Sequence, residues 1–111
     1  MSENDPLSSE FNETTVLAVA QGAAGTTTLV TPGSTQKVYV TGIFLTLDAA
    51  GTLKFTETAG DLTGPLSIAL DGGLATSGGP HPVLWTSTAG EALKITTVTG
   101  KANGWITYFV A

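Results

Sequence analysis

The run Lys37-Val38-Tyr39-Val40-Thr41-Gly42-Ile43-Phe44-Leu45-Thr46-Leu47 decides which fold this chain can adopt. Its apolar residues recur every second position, the period of a strand and not of a helix. Val38 and Val40 share one parity, whereas Ile43, Leu45 and Leu47 share the other. The inward face therefore switches near Thr41-Gly42, and a bulge at Gly42 would produce the switch. Leu93 and Ile95 give way to Val98 in the same manner, and such bends are how a strand passes from one sheet of a sandwich to the other.

Outward from this run the same vocabulary continues. From Thr14 onward the chain is rich in Thr, Val, Leu, Ile and Gly, with twenty threonines and 14 glycines in 111 residues, a strand-and-turn composition. No stretch of eleven residues carries apolar positions at helical spacing free of Gly, Pro or β-branched clusters. Eight short runs, at 15–20, 26–31, 37–47, 52–58, 65–70, 82–87, 92–99 and 104–110, are separated by turn signals, the pattern of a sandwich or barrel. The longest separator, 71–80, reads as a wide glycine-rich loop, and 59–64 reads as a turn. In Thr52-Leu53-Lys54-Phe55-Thr56, Leu53 and Phe55 face one way and Lys54 and Thr56 the other, which predicts a half-buried strand in contact with water. Trp105-Ile106-Thr107-Tyr108-Phe109-Val110 is apolar on both parities, so this strand is either central or set against another subunit.

The first thirteen residues differ in kind. They hold Glu3, Asp5, Glu10 and Glu13, four of the nine acids, with Leu7 and Phe11 as the only sizeable apolar side chains. The sequence therefore divides into an extended N-terminal arm at 1–13 and one β domain at 14–111. The arm is either disordered or ordered on a partner, with Leu7 and Phe11 as anchors and Glu10 and Glu13 beside them. Without it, five acids face four lysines and the body is nearly neutral.

Composition narrows the function. A net charge of -5 with no Arg argues against nucleic acid, which needs clustered cations. No apolar run approaches 18 residues and the first residues are acidic, so neither a membrane helix nor a signal peptide is expected. Charged residues make up 12 % and hydrophobic ones 41 %, a balance that suggests association. With no Cys and a single His, most catalytic schemes have no residues to use.

The remaining candidates are few. His81 lies between two prolines and has no partners for a metal site. A Ser77, His81 and Asp71 arrangement lacks any Gly-x-Ser-x-Gly context. Asp48, Asp61 and Asp71 show no Asp-x-Asp spacing for calcium. The Asp71-Gly72-Gly73-Leu74 stretch has no following Lys or helix to hold phosphate. No cofactor and no metal are expected. Trp85, Trp105, Tyr39 and Tyr108 are either core and subunit-interface residues or a sugar-stacking platform; Trp105, Tyr108 and Trp85 are the candidate subunit interface.

The strings Ala69-Leu70-Asp71-Gly72-Gly73-Leu74, Pro80-His81-Pro82, Trp85-Thr86-Ser87-Thr88-Ala89-Gly90-Glu91-Ala92-Leu93 and Gly104-Trp105-Ile106-Thr107-Tyr108 resemble small structural proteins of tailed bacteriophages. The likeness covers about residues 38 to 110. It implies a virion component: a capsid decoration (cement) protein, a head fibre or a tail-surface module, none with a catalytic site. Cement proteins commonly sit as trimers on the shell and clasp the major capsid protein with N-terminal segments. The expectation is a non-enzymatic, antiparallel β-sandwich of jelly-roll type with about eight strands, a homotrimer on the outer capsid surface whose partner is the major capsid protein. The alternative is a carbohydrate-recognising module with Trp85 and the loop from Asp71 to Pro82 as its site. Periodicity alone leaves a sandwich and a β-tulip unseparated.

Overall fold

The computed structural model describes residues 14–69, 72–79 and 81–111, so the expected arm at 1–13 lies outside the described residues. Ten strands and no helix occur among them: β1 (Thr15–Ala20), β2 (Thr26–Val30), β3 (Val38–Leu47), β4 (Gly51–Glu57), β5 (Gly60–Asp61), β6 (Leu66–Ile68), β7 (Gly73–Ser77), β8 (Leu84–Trp85), β9 (Leu93–Val98) and β10 (Ala102–Val110). They form two antiparallel sheets. Sheet 1 has the order β1-β10-β3-β7, with β8 also on β3; sheet 2 has the order β2-β9-β4-β5, with β6 also on β4.

The two sheets share one core in the manner of a β-sandwich. Val38, Val40, Leu45 and Ile106 from sheet 1 meet Leu53, Phe55, Leu93 and Ile95 from sheet 2, all buried. Each is the inward parity of an alternating strand, and burying one such side chain stabilises the fold by about 1.5–3 kcal/mol. Leu53 and Phe55 point inward and Lys54 outward, as their alternation predicts, whereas Thr56, expected on the wetted side with Lys54, is buried.

The face switch in β3 is real, and its geometry explains the broken edge beside it. The β3–β10 register runs from Thr107↔Gly42 to Tyr108↔Val40, so Thr41 is the extra residue of a bulge adjoining Gly42. Its hydroxyl meets the Thr107 hydroxyl at 2.8 Å, and its carbonyl accepts from Gly78 N at 3.0 Å. On the far side of β3, pairing with β7 ends at Gly42↔Ser77 and pairing with β8 starts at Val40↔Leu84. The bulge thus splits one edge strand in two. Sheet 2 has a similar interrupted edge, with β5 and β6 sharing one side of β4.

Three expectations are corrected. There are ten strands and not eight, because β5 and β7 lie in stretches read as a turn and a loop. β7 is an exposed edge of Gly, Ala, Thr and Ser around a half-buried Leu74, so it needs no apolar alternation and shows none. The β9 face does not switch: Leu93, Ile95 and Thr97 all point inward and Val98 outward. Thr97 is an inward polar residue, invisible to a hydrophobic pattern. Finally, neither β3 nor β9 passes between sheets; the connecting turns do that instead.

Two polar devices hold the turns. Gln21, buried at the β1–β2 turn, donates from Nε2 to Gly25 O and Thr27 Oγ1, both at 3.1 Å. Its Oε1 accepts from Thr97 Oγ1 at 2.8 Å and from Ala102 N at 2.9 Å. All of the amide's hydrogen-bonding capacity is thereby used inside the protein. At the other end, Glu57 is buried and accepts two bonds from Ser87.

Candidate functional site

The outer faces of the two sheets are chemically unlike, and this contrast defines the site. On sheet 1, alternation turns Trp105, Thr107 and Phe109 of β10 away from Ile106 and the core, and Tyr39 and Phe44 of β3 away from Val38, Val40 and Leu45. Register then sets them side by side. Trp105 is opposite Phe44 and Phe109 opposite Tyr39, while Trp85 on β8 extends the second row beyond Tyr39. The pairs are stacked, with ring centroids 5.8 Å apart for Phe44–Trp105 and 5.0 Å for Tyr39–Phe109. Ala18 on β1 and Ala75 on β7 flank the Trp105–Phe44 row, while Val16 and Ser77 flank the Thr107–Gly42 row between the two aromatic pairs.

These rings are half in water: Phe44 is 46 % exposed, Trp105 43 % and Trp85 51 %, with Val16 at 68 %. No strand residue on the face is charged. Lys37 lies just beyond one end, and the Asp48–Lys101 pair lies beyond the other. A shallow depression of about 330 Å³ opens over Phe44, Ala75, Ser77 and Trp105.

Sheet 2 shows the solvated alternative. Its outward residues include Thr26, Thr28, Thr52, Lys54, Lys94 and Thr96. The Thr26 and Thr96 hydroxyls meet at 2.8 Å, and Lys54 reaches Asp61 at 3.1 Å. Val98, at the end of β9, is the exception. A protein surface is mixed in composition everywhere, so single exposed apolar residues mean little, whereas a contiguous aromatic face marks an interaction surface.

The candidate residues from the sequence fall unevenly on this map. Trp105 and Trp85 stand on the aromatic face, but Tyr108 packs inward against the core. β10 is central in sheet 1 and lies between β1 and β3. Leu7, Phe11, Glu10 and Glu13 lie outside the described residues, as do Leu70, Asp71 and Pro80. Ser77 Oγ accepts from Gly79 N at 3.3 Å, and His81 is exposed, its backbone N donating to Gly78 O at 3.0 Å. Asp48 and Asp61 each face a lysine. Among the described residues no three His, Cys, Asp or Glu side chains gather as a metal site would require. Phe44 and Phe109 were missed, although each has the parity that opposes the inward residues of its run.

Two further hollows flank the body. One of about 260 Å³ lies between Thr15, Val30, Pro32, Gln36 and Tyr108. The other, about 210 Å³ and mostly apolar, opens along the β6–β7 flank over Ile43 and Phe55. Comparison with protein-family models, with curated proteins and with solved structures finds no match for the chain.

Proposed function

We propose that this protein is a structural component of a tailed-bacteriophage virion, a capsid decoration (cement) protein on the outer surface of the shell. The aromatic, charge-free exterior of sheet 1 opposite a threonine-and-lysine exterior on sheet 2 carries this reading. A domain with one face built for solvent and one for contact suits a subunit that works by being assembled. The resemblance of residues 38 to 110 to small phage structural proteins points the same way. The strand order supports the finer reading of the sandwich as a jelly roll: first strand beside last, second beside next to last, with β1 to β4 alternating between the two sheets.

The mechanism is thermodynamic and needs no reaction. A homotrimeric body presents three arms, residues 1–13, to the major capsid protein. A ligand that binds the assembled shell and not its free subunits stabilises the shell by mass action. Linking three weak contacts raises the effective affinity further.

Deleting residues 1–13 tests this. The melting temperature of the body should stay within about 2 °C of the full chain, while occupancy on expanded shells of the major capsid protein from the same genome should fall at least tenfold. Undiminished occupancy would remove the arm from the mechanism, and no binding of the full chain to such shells would overturn the function.

The exposure of Trp85 beside Tyr39 favours a second reading, a carbohydrate-binding surface module. Glycan-array binding abolished by Trp85→Ala at unchanged melting temperature would support it over cement.

A further inference from the structure

We infer that the outer face of sheet 1 is covered by a second copy of this chain, and that Phe44, Trp105, Tyr39 and Phe109 are the centre of that contact. The inference deepens the reading of the protein as an assembly component and rests on it. Its new content is the surface and its occupant.

Three occupants are conceivable for an apolar sheet face here: the chain's own N-terminal segment, the shell protein, or another copy. The N-terminal segment brings Glu3, Asp5, Glu10 and Glu13 within thirteen residues. Against them the face offers no cation except Lys37 at its border, and the other border is a lysine already paired with Asp48. Laying four carboxylates on stacked rings would strip their water without returning a partner. A second copy brings the same uncharged aromatic face, with no charge to desolvate.

The edge of the sheet adds an independent observation. β1 forms one border of the face and pairs only with β10 among the described strands. Its sequence, Thr15-Val16-Leu17-Ala18-Val19-Ala20, contains none of the lysines, prolines or bulges that keep an open edge from pairing with another chain. A neighbour reaching over the Val16 and Ala18 border therefore meets apolar side chains and, at the outer edge of β1, backbone groups with no strand partner among the described residues. β3 on the opposite side of β10 is covered by β7 and β8. The unguarded edge and the uncharged face are contiguous, as one interface would require.

The test is the molar mass of the purified full chain by light scattering at micromolar concentration, with no shells present. The wild-type mass should be at least twice 11.2 kDa. Trp105→Lys and Val16→Lys should each weaken association at least tenfold, giving the monomer mass at the same concentration with the far-ultraviolet strand signature retained. Val98→Lys, which removes an equally exposed apolar side chain from sheet 2, should leave the multimer intact.

A wild-type chain that is monomeric throughout overturns the inference, as does a multimer indifferent to both face variants. If the monomer binds shells and Trp105→Lys abolishes that binding, the face belongs to the shell protein. If deleting residues 1–13 shifts the tryptophan emission of a monomer, the face belongs to the arm. Either result also overturns it. A multimer disrupted by the face variants that never binds shells would leave this inference standing and sink the cement function.

Discussion

The Glu57 carboxylate holds Ser87 with both oxygens: Oε1 accepts from Ser87 N at 2.8 Å and Oε2 from Ser87 Oγ at 2.5 Å. The pair ties the end of β4 in sheet 2 to the segment that leaves β8 in sheet 1. Glu91 makes a parallel tie, its Oε1 accepting from Ala59 N at 2.8 Å. Glu57→Ala leaves the Ser87 amide without its acceptor and should cost about 2 kcal/mol, whereas Ser87→Ala removes only the hydroxyl bond and should cost about 1 kcal/mol. Chemical denaturation of both variants and the double variant checks this, with a coupling near the smaller value expected.

Gln21 should be among the least replaceable polar residues. Gln21→Leu deletes four side-chain hydrogen bonds and strands Ala102 N and the Thr97 hydroxyl in the interior, for an expected loss of about 3 kcal/mol. Gln21→Glu keeps the shape but turns the Nε2 donor into an acceptor facing Gly25 O, so it should be no milder. Thermal melts should show both variants more than about 10 °C below the wild type.

The third position of β10 tolerates only glycine. Gly104 has φ +141°, and a Cβ there would run into the Phe44 carbonyl oxygen across the β3–β10 ladder. Gly104→Ala should destabilise by about 2 kcal/mol or more, and in the purified protein it should also disturb the Phe44–Trp105 stack above it. Near-ultraviolet circular dichroism reads the stack and denaturation reads the stability.

Thr99 is the reverse case. It occupies the left-handed region at φ +61° before Gly100, in the turn from β9 to β10, where a β-branched residue is strained. Thr99→Asn should raise stability by up to about 1 kcal/mol with no change in assembly. A loss of stability in that variant would show that the hydroxyl contributes more than the strain costs.

At the other end of the same turn, Asp48 Oδ1 accepts from Lys101 N at 2.7 Å, while Oδ2 is 3.8 Å from the Lys101 ammonium. Both side chains are about half exposed, so the ion pair itself should contribute less than about 1 kcal/mol. Lys101→Ala should therefore be nearly neutral at 1 M salt and at 0.1 M alike, and Asp48→Ala the more damaging of the two.

Much of the architecture was legible because strands with one apolar side announce themselves. β1 has the bounds its alternation predicts, and the Thr41-Gly42 parity break located the bulge to within a residue. β7 escaped because an exposed edge of small residues carries no periodic signal. Thr97 escaped because its burial is repaid by Gln21 and Gly25, a relation between residues far apart in sequence. The aromatic face was half legible: the parities of Phe44 and Trp105 are written in their own runs. That the two rings stack depends on β3 lying beside β10, which no local pattern specifies.

The position of β10 also dictates how the molecule must come into being. It is the tenth strand in chain order, yet it lies between β1 and β3, so neither of those can complete its hydrogen bonds until residue 110 has been made. β1 and β3 wait, the sides that β10 will take still unpaired, while residues 48–101 are made. Pairing between strands so far apart in sequence forms slowly and closes around β10. During that wait the nascent chain is most prone to pair with the wrong neighbour, and a chaperone would be most useful to it then.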